Sequence, residues 1–306
     1  MNPLGSVVST VADAVTGAVT GESRPALEVA GSTAVVTGAA GGMGEHVARG
    51  LARRGAHVAI IDVDADGLAR VGETIAAEAP GVTVTPYVVD LADRDAVTTL
   101  GARLGDAHPD VRVLVNNAGV ALGGRFLQTT EDDFDWLMEI NLHTPIRLTR
   151  ALLPIMLENG EGQVVGLSSL FGLVGPAGQT AYSTSKFGHR GFLESLASEL
   201  SAEGRSVGVT SVHPGGIRTN IATNARVGAD VDPAEAAQGQ KAFAKMLKYP
   251  ADKAGEEIVE ALIARRRRLL IGNDAKGLDV LARVTPSGYW GVMQRAMNAA
   301  GGSSTN

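Results

Sequence analysis

Tyr182 and Lys186 stand four positions apart in a stretch with helical patterning, a spacing that projects both side chains from one helix face. A phenol ordinarily titrates near ~10, too high for ready proton exchange at neutral pH. An ammonium held beside it favours the phenolate and lowers that value. The pair could therefore move a proton to or from a substrate oxygen. The spacing alone is weak, because tyrosine and lysine recur at this interval on helices that do no chemistry.

A second chemical pattern lies near the start of the chain. The apolar run at 33–37 leads into Gly38-Ala-Ala-Gly41-Gly42-Met43-Gly44, and a helical pattern follows at once. Glycines permit a tight turn and close approach of the backbone to a pyrophosphate, and a helix N-terminus offers free N–H groups to the anion. A glycine cluster between a strand and a helix is a stronger signal than one standing alone. The next apolar run, 57–61, ends at Asp62, 18 positions beyond Gly44. A carboxylate there can accept hydrogen bonds from both ribose hydroxyls of adenosine and repels a 2′-phosphate. The bland alternative is a solvated loop aspartate, since Asp64 and Asp66 follow. No basic residue sits at 40, 41 or 63, so NAD is preferred to NADP as the cofactor. Arg53 and Arg54 are read as facing solvent.

These side chains need a scaffold to bring them together. Apolar, β-rich runs occur at 33–37, 57–61, 82–89, 111–115, 163–167, 206–212 and 269–271, with helical patterns at 44–54, 68–78, 93–104, 131–157 and 182–203. Buried parallel strands read as near-continuous apolar runs, and this alternation is that of repeated βαβ units. The expected fold class is α/β: one Rossmann-type, doubly wound domain with a seven-stranded parallel sheet flanked by helices. The expected organisation is an N-terminal arm at 1–29, a catalytic domain at 30–272 with a lid at 221–248, and a C-terminal helical extension at 273–306. The arm is either loosely attached or a short docking helix.

Composition narrows the function further. The chain is 44% hydrophobic and 20% charged with a net charge of −6, which suits a globular protein and gives no reason to expect nucleic acid as a partner. It has no cysteine, so disulfides, thiolate catalysis and cysteine metal sites are excluded, and no metal site is read elsewhere. The N-terminus lacks the basic start and unbroken apolar core of a secretory signal, and no run approaches the ~20 apolar residues that span a bilayer. A cytoplasmic location is expected.

Taken in order, these motifs resemble the short-chain dehydrogenase/reductase family. The cofactor turn Thr37-Gly-x-x-x-Gly42-x-Gly44 is followed by Asp90-Leu91, Asn116-Asn-Ala-Gly119, Asn141, Ser168-Ser169, Tyr182-Ser-Thr-Ser-Lys186 and His213-Pro-Gly-Gly-Ile-Arg-Thr219. The resemblance covers roughly residues 30–272. It implies hydride transfer between NAD(H) and an alcohol or carbonyl, with Tyr182 exchanging the substrate proton and Ser169, 13 positions upstream, hydrogen-bonding the substrate oxygen. Lys186 would also bind the nicotinamide ribose, and Asn141 would help hold a water linking the lysine to solvent. Ser168 is read as facing away. Gly38, Gly41, Gly42, Met43 and Gly44 would cradle the phosphates. Asp62 would bind the ribose, and Asp90 with Leu91 the adenine region, unless Asp90 caps the following helix. Asn117, Ala118 and Gly119 would line the cleft, although Asn117 could serve only the sheet. Pro214, Gly215, Ile217 and Thr219 would meet the nicotinamide end. The family also implies a homodimer or homotetramer, formed through the helices bearing Asn141 and Tyr182.

The substrate side is mostly apolar: Leu170, Phe171, Leu173, Val174 and Pro176 follow Ser169. A hydrophobic secondary alcohol or ketone is expected, and Arg125 is either an anion contact or an exposed loop residue. Arg265 to Arg268 form a basic run, read as a solvated helix end rather than an anionic-ligand surface. The amphipathic tail through Leu278, Leu281, Tyr289 and Trp290 packs on its own body, a second subunit or a membrane surface. The alternatives to the main reading are an NADP-dependent reductase, a lyase-type relative, or a dinucleotide-binding regulator without turnover. The intact Ser169, Tyr182 and Lys186 set argues against the last two.

Overall fold

The computed structural model describes residues 25–301. Its strands in chain order are β1 (Thr33–Thr37), β2 (His57–Asp62), β3 (Val84–Val88), β4 (Val111–Asn116), a short β5 (Leu122–Gly123), β6 (Gly162–Leu167), β7 (Val207–Pro214), a short β8 (Arg226–Val227) and β9 (Arg268–Ile271). Seven of them form one parallel sheet in the order β3-β2-β1-β4-β6-β7-β9. The chain starts at the centre, winds outward to β3 and returns across β1 to β4. That reversal leaves a crevice at the carboxyl ends of β1 and β4, where doubly wound sheets bind ligands.

Strand side chains alternate between two cores, which explains the unbroken apolar runs. Ala34, Val36, Val58, Ile60, Val113 and Val115 face one side. They meet α1 (Gly42–Ala52), α2 (Ala65–Glu78) and α8 (Ala251–Ile263) through Val47, Leu51, Val71, Ile75, Ile258 and Leu262. Val35, Ala59, Ile61 and Leu114 face the other side. There they meet α3 (Arg94–Ala107), α5 (Thr144–Glu158) and α6 (Thr180–Ala202) through Leu100, Leu104, Leu148, Leu152 and Leu193. Each such side chain contributes about 1.5–3 kcal/mol by leaving water. Among the described residues no helix is long and apolar enough to cross a membrane.

Several expectations change. The single helix at 131–157 is α4 (Glu131–Met138), a π-helical turn (Glu139–His143) and α5, so Asn141 sits in the widened turn and not in a regular helix. Its side chain bonds out to the main chain of Val120, and such π turns often mark functional sites. The expected arm falls largely outside the described residues, but Leu27 and Val29 belong to the core, with Leu27 N–H donating to the Ile263 carbonyl at 2.9 Å. The segment 221–248 is folded, with β8 pairing with β5 and α7 (Pro233–Met246) crossing the sheet's carboxyl edge beside the catalytic cavity. The arginine run is a solvated end only in part: Arg266 and Arg267 are exposed, while Arg265 and Arg268 are engaged. Arg268 makes a two-point contact with Asp279 (3.0 and 2.7 Å), and the Arg265 side chain is 6% exposed and donates to the Gly162 carbonyl. Arg53 and Arg54 are tied to Glu78 and Glu256. The tail forms α9 (Asn273–Val284) and α10 (Tyr289–Gly301), whose Leu278, Ala282, Tyr289 and Met293 pack on Leu170, Phe171 and Val174.

Candidate active site

The glycine turn is held in shape from β4. Asn117 donates its side-chain N–H to the carbonyls of Thr37 (2.8 Å) and Gly38 (3.0 Å), while Thr37 Oγ1 accepts from the N–H groups of Asn117 and Ala118, both at 3.0 Å. Gly38 has φ +66°, and a Cβ there would meet Ala118 at 2.8 Å. At Gly44 a Cβ would lie 2.1 Å from the Gly38 carbonyl oxygen. Any other residue at either position would break the turn. Asn117 is thus a brace for the turn, the lesser of its two anticipated roles, and it also lines the cleft.

At Gly41, by contrast, an added Cβ meets nothing within 4 Å, and as N-cap of α1 it brings no side chain to the first N–H groups. Open space over unpartnered helix-start N–H groups suits a pyrophosphate. Thr219 reaches this point from the other side of the cleft, its Cγ2 3.2 Å from where a Cβ on Gly42 would lie. Asp62 is more than a solvated loop residue. Its Oδ2 accepts from Ala40 N–H (3.0 Å) and its Oδ1 from Val63 N–H (2.8 Å), which fixes the carboxylate at the end of β2 against the glycine turn. Arg70 reaches the same turn, donating to the Ala40 carbonyl (2.7 Å), and is neutralised by Glu45 at 3.0 Å.

Asp90 accepts from Ala92 N–H, while the cap of α3 is Asp93. The helix-cap alternative for Asp90 is therefore wrong by three residues. The Leu91 side chain is buried in the core, and its carbonyl accepts from Thr144, so it offers the cleft no side chain.

One cavity of ≈100 Å³ collects Met43, Asn117, Gly119, Ser169, Tyr182, Lys186, Pro214, Gly215, Ile217 and Thr219. Tyr182 and Lys186 rise from the first turns of α6, 8% and 3% exposed. The Tyr182 hydroxyl shares this cavity with Ser169, which follows β6 and caps a 3₁₀ turn by accepting from Phe171 N–H at 3.1 Å. Lys186 Nζ lies 5.7 Å from the Tyr182 ring centre and donates to the Leu167 carbonyl at 2.9 Å. Ser168 turns away, donating to the Lys186 carbonyl. Asn141 accepts from Val120 N–H (2.8 Å) and donates to the Val120 carbonyl (2.9 Å) and to Ser185 Oγ. Ser185 in turn donates to the Tyr182 carbonyl. Asn141 thus locks the loop after β4 to the catalytic helix.

Burial sets the proton chemistry. It pushes the Tyr182 phenol above its ordinary range, with the neighbouring Ser169 pulling the other way. It brings the Lys186 ammonium down to about 8. The lowering of Tyr182 anticipated from the helix spacing is not what results, because desolvation dominates at this buried phenol. At neutral pH the tyrosine is protonated and the lysine charged.

Sequence reasoning missed Asp274, and it read the residues of α7 only as part of a lid, not as a helix. Asp274, in the supposed extension, accepts from Gly216 N–H at 2.7 Å and so holds the loop after β7. A Cβ on Gly215 would meet its carboxylate at 2.1 Å. An acidic residue in the first turn of a helix after the last strand was the available signal, but it reads equally as an ordinary helix-start charge. Phe243, Met246 and Leu247 close the cavity from α7. Arg125 is exposed and paired with Glu235 at 3.3 Å, which fits a loop residue and not an anion contact.

A family profile described as short chain dehydrogenase matches residues 32–230. The chain is 35% identical over 264 residues to SadH of Mycobacterium tuberculosis, which carries an oxidoreductase designation, covering 85% of this chain and 92% of that one. It is similar in structure to a short chain dehydrogenase/reductase from Burkholderia phymatum solved in complex with NAD (TM-score 0.77, 27% identity, 85% of this chain and 95% of that one). It is also similar to a metagenomic short-chain oxidoreductase solved in complex with NADP (TM-score 0.62, 30% identity, 80% and 98%).

Proposed function

The chain belongs to the short-chain dehydrogenase/reductase family, and from that premise we propose that it interconverts a hydrophobic secondary alcohol and its ketone, or an aldehyde, using NAD(H). The observation that carries this reading is the convergence of Tyr182, Ser169 and Lys186 on the one cavity that the loop after β7 and the start of α1 also line. When bound, the nicotinamide supplies or accepts the hydride. The chain does the rest. Ser169 orients the substrate oxygen. Tyr182, protonated at neutral pH, donates its proton to that oxygen as it gains electrons, and takes it back in the oxidation direction. Lys186 holds positive charge beside the Tyr182 ring and would bind the nicotinamide ribose. Asn141 and Ser185 keep the helix in register with the loop after β4.

The preference for NAD rests on Asp62. Its carboxylate is pinned by backbone N–H groups beside the glycine turn, a fixed negative charge that would repel a 2′-phosphate, and the nearby Arg70 is already paired with Glu45. The Leu170, Phe171 and Ile221 walls favour an apolar substrate.

The test follows nicotinamide absorbance with purified protein, NADH against NADPH, over aliphatic, aromatic and polycyclic ketones. Turnover with NADH that disappears in Tyr182→Phe supports the reading. Preference for NADPH would refute the role given to Asp62. Tight NADH binding without turnover on any ketone would favour a regulator.

A further inference from the structure

The catalytic cavity is small, ≈100 Å³, and the nicotinamide must share it with the reacting group. A larger chamber of ≈310 Å³ adjoins it, bounded by the β5–β8 ribbon, residues 177–179 and α7. Phe243 lines both spaces, and the neighbours Ile221 and Ala222 line one each. The two spaces thus adjoin at Phe243. This volume exists because its walls are small: Ala121, Gly123, Gly178, Ala225, Ala236 and Gly239.

Charge in the chamber is already engaged. Arg125 pairs with Glu235 at 3.3 Å. Arg226 lies 3.6 Å over the Trp136 ring and 3.7 Å from Asp133. Outside Arg125, the side chains of Phe126 and Leu127 are 62% and 87% exposed and extend the apolar surface beyond the mouth. A ligand here meets mostly small and apolar walls, the uncharged amides of Gln128, Gln179 and Gln240, and arginines that already have partners.

We propose that the substrate class is a ketone or secondary alcohol bearing a long, uncharged hydrocarbon substituent. Its reacting carbon sits at Tyr182, and the substituent runs past Phe243 into the outer chamber. This rests on the oxidoreductase reading above and adds the direction and nature of the substrate's bulk.

Gly239 provides the test. Residues 236, 239, 240 and 243 share one face of α7 and all line the chamber. A Cβ at Gly239 meets nothing within 4 Å. Gly239→Leu therefore starts its side chain in open space at the chamber wall, and it replaces a helix-interior glycine by a better helix former, which favours folding. It lies outside the catalytic cavity and leaves a short ketone unaffected.

The experiment compares 2-alkanones from butanone to dodecanone in two assays: turnover with NADH, and binding to protein loaded with NAD+, which has no hydride to give. In the wild type, kcat/KM and affinity rise with chain length, by about fourfold per methylene buried, until the chamber is full. In Gly239→Leu the rise is lost while butanone behaves as before. A length-dependent affinity that Gly239→Leu abolishes supports the chamber even if no ketone turns over. That result would count against the oxidoreductase reading alone. A flat series in both assays, or a rise that survives Gly239→Leu, overturns the proposal.

Discussion

Two buried histidines make this protein sensitive to mild acid. His189 follows Lys186 by three positions on α6, is 1% exposed, and is held down to about 3 by burial and by the Lys186 charge. His213, in β7 beside the Ser169 carbonyl, is held to about 4 by burial and by Arg268. Both native values lie below the ordinary 6.5, so the unfolded chain binds more protons below that pH and stability falls with acidification. At pH 5 each unfolded histidine is almost fully protonated and each native one is not. The loss between pH 7 and 5 is about 2 kcal/mol per histidine, or about 4 kcal/mol together. It requires only that the native values lie below 5. Asp279, lowered to about 2 by Arg268 and Arg283, acts in a window below 3.8 and does not contribute here. The assay is urea unfolding at fixed protein concentration from pH 7.5 to 5, for the wild type and His189→Gln. Whatever the substitution does at pH 7, it removes one titrating group, so the acid decline should shrink by about 2 kcal/mol. An unchanged decline would show that His189 is not held neutral in the folded protein.

Three further outcomes are expected. Ketone reduction needs a protonated Tyr182 and a charged Lys186, so its rate should fall as pH rises through about 8. A reduction profile flat to high pH would contradict this. Asp62→Ala removes the charge opposing a 2′-phosphate and should raise the NADPH to NADH ratio of kcat/KM by about tenfold or more, read in a two-cofactor initial-rate assay. Asp274→Ala leaves Gly216 N–H without its carboxylate, a loss of about 1–2 kcal/mol, or roughly tenfold in cofactor affinity by titration. If affinity is unchanged, the loop after β7 is held by other contacts.

The order of elements and the chemical residues were legible in the linear chain. Apolar runs buried on both faces follow from a parallel sheet covered by helices, and β1, β2, β4 and β6 fall within a residue of where the runs predict them. The Tyr182–Lys186 interval and the glycine turn at 38–44 are local patterns, set by helix periodicity and by the φ that Gly38 must adopt. Tertiary structure decided what depends on neighbours distant in sequence. Asn141 reads as a helical residue until the approach of Val120 gives its amide two partners and the helix widens. Lys186 was expected to depress the phenol of Tyr182, but the field at the hydroxyl depends on where Nζ comes to rest and how much water remains. Asp274 joins the site because β9 lies beside β7, and the outer chamber exists because α7 crosses opposite a wall of glycines and alanines. Spacing along the chain reports which groups share a face. Desolvation, and the void between two faces, arise only when the faces meet.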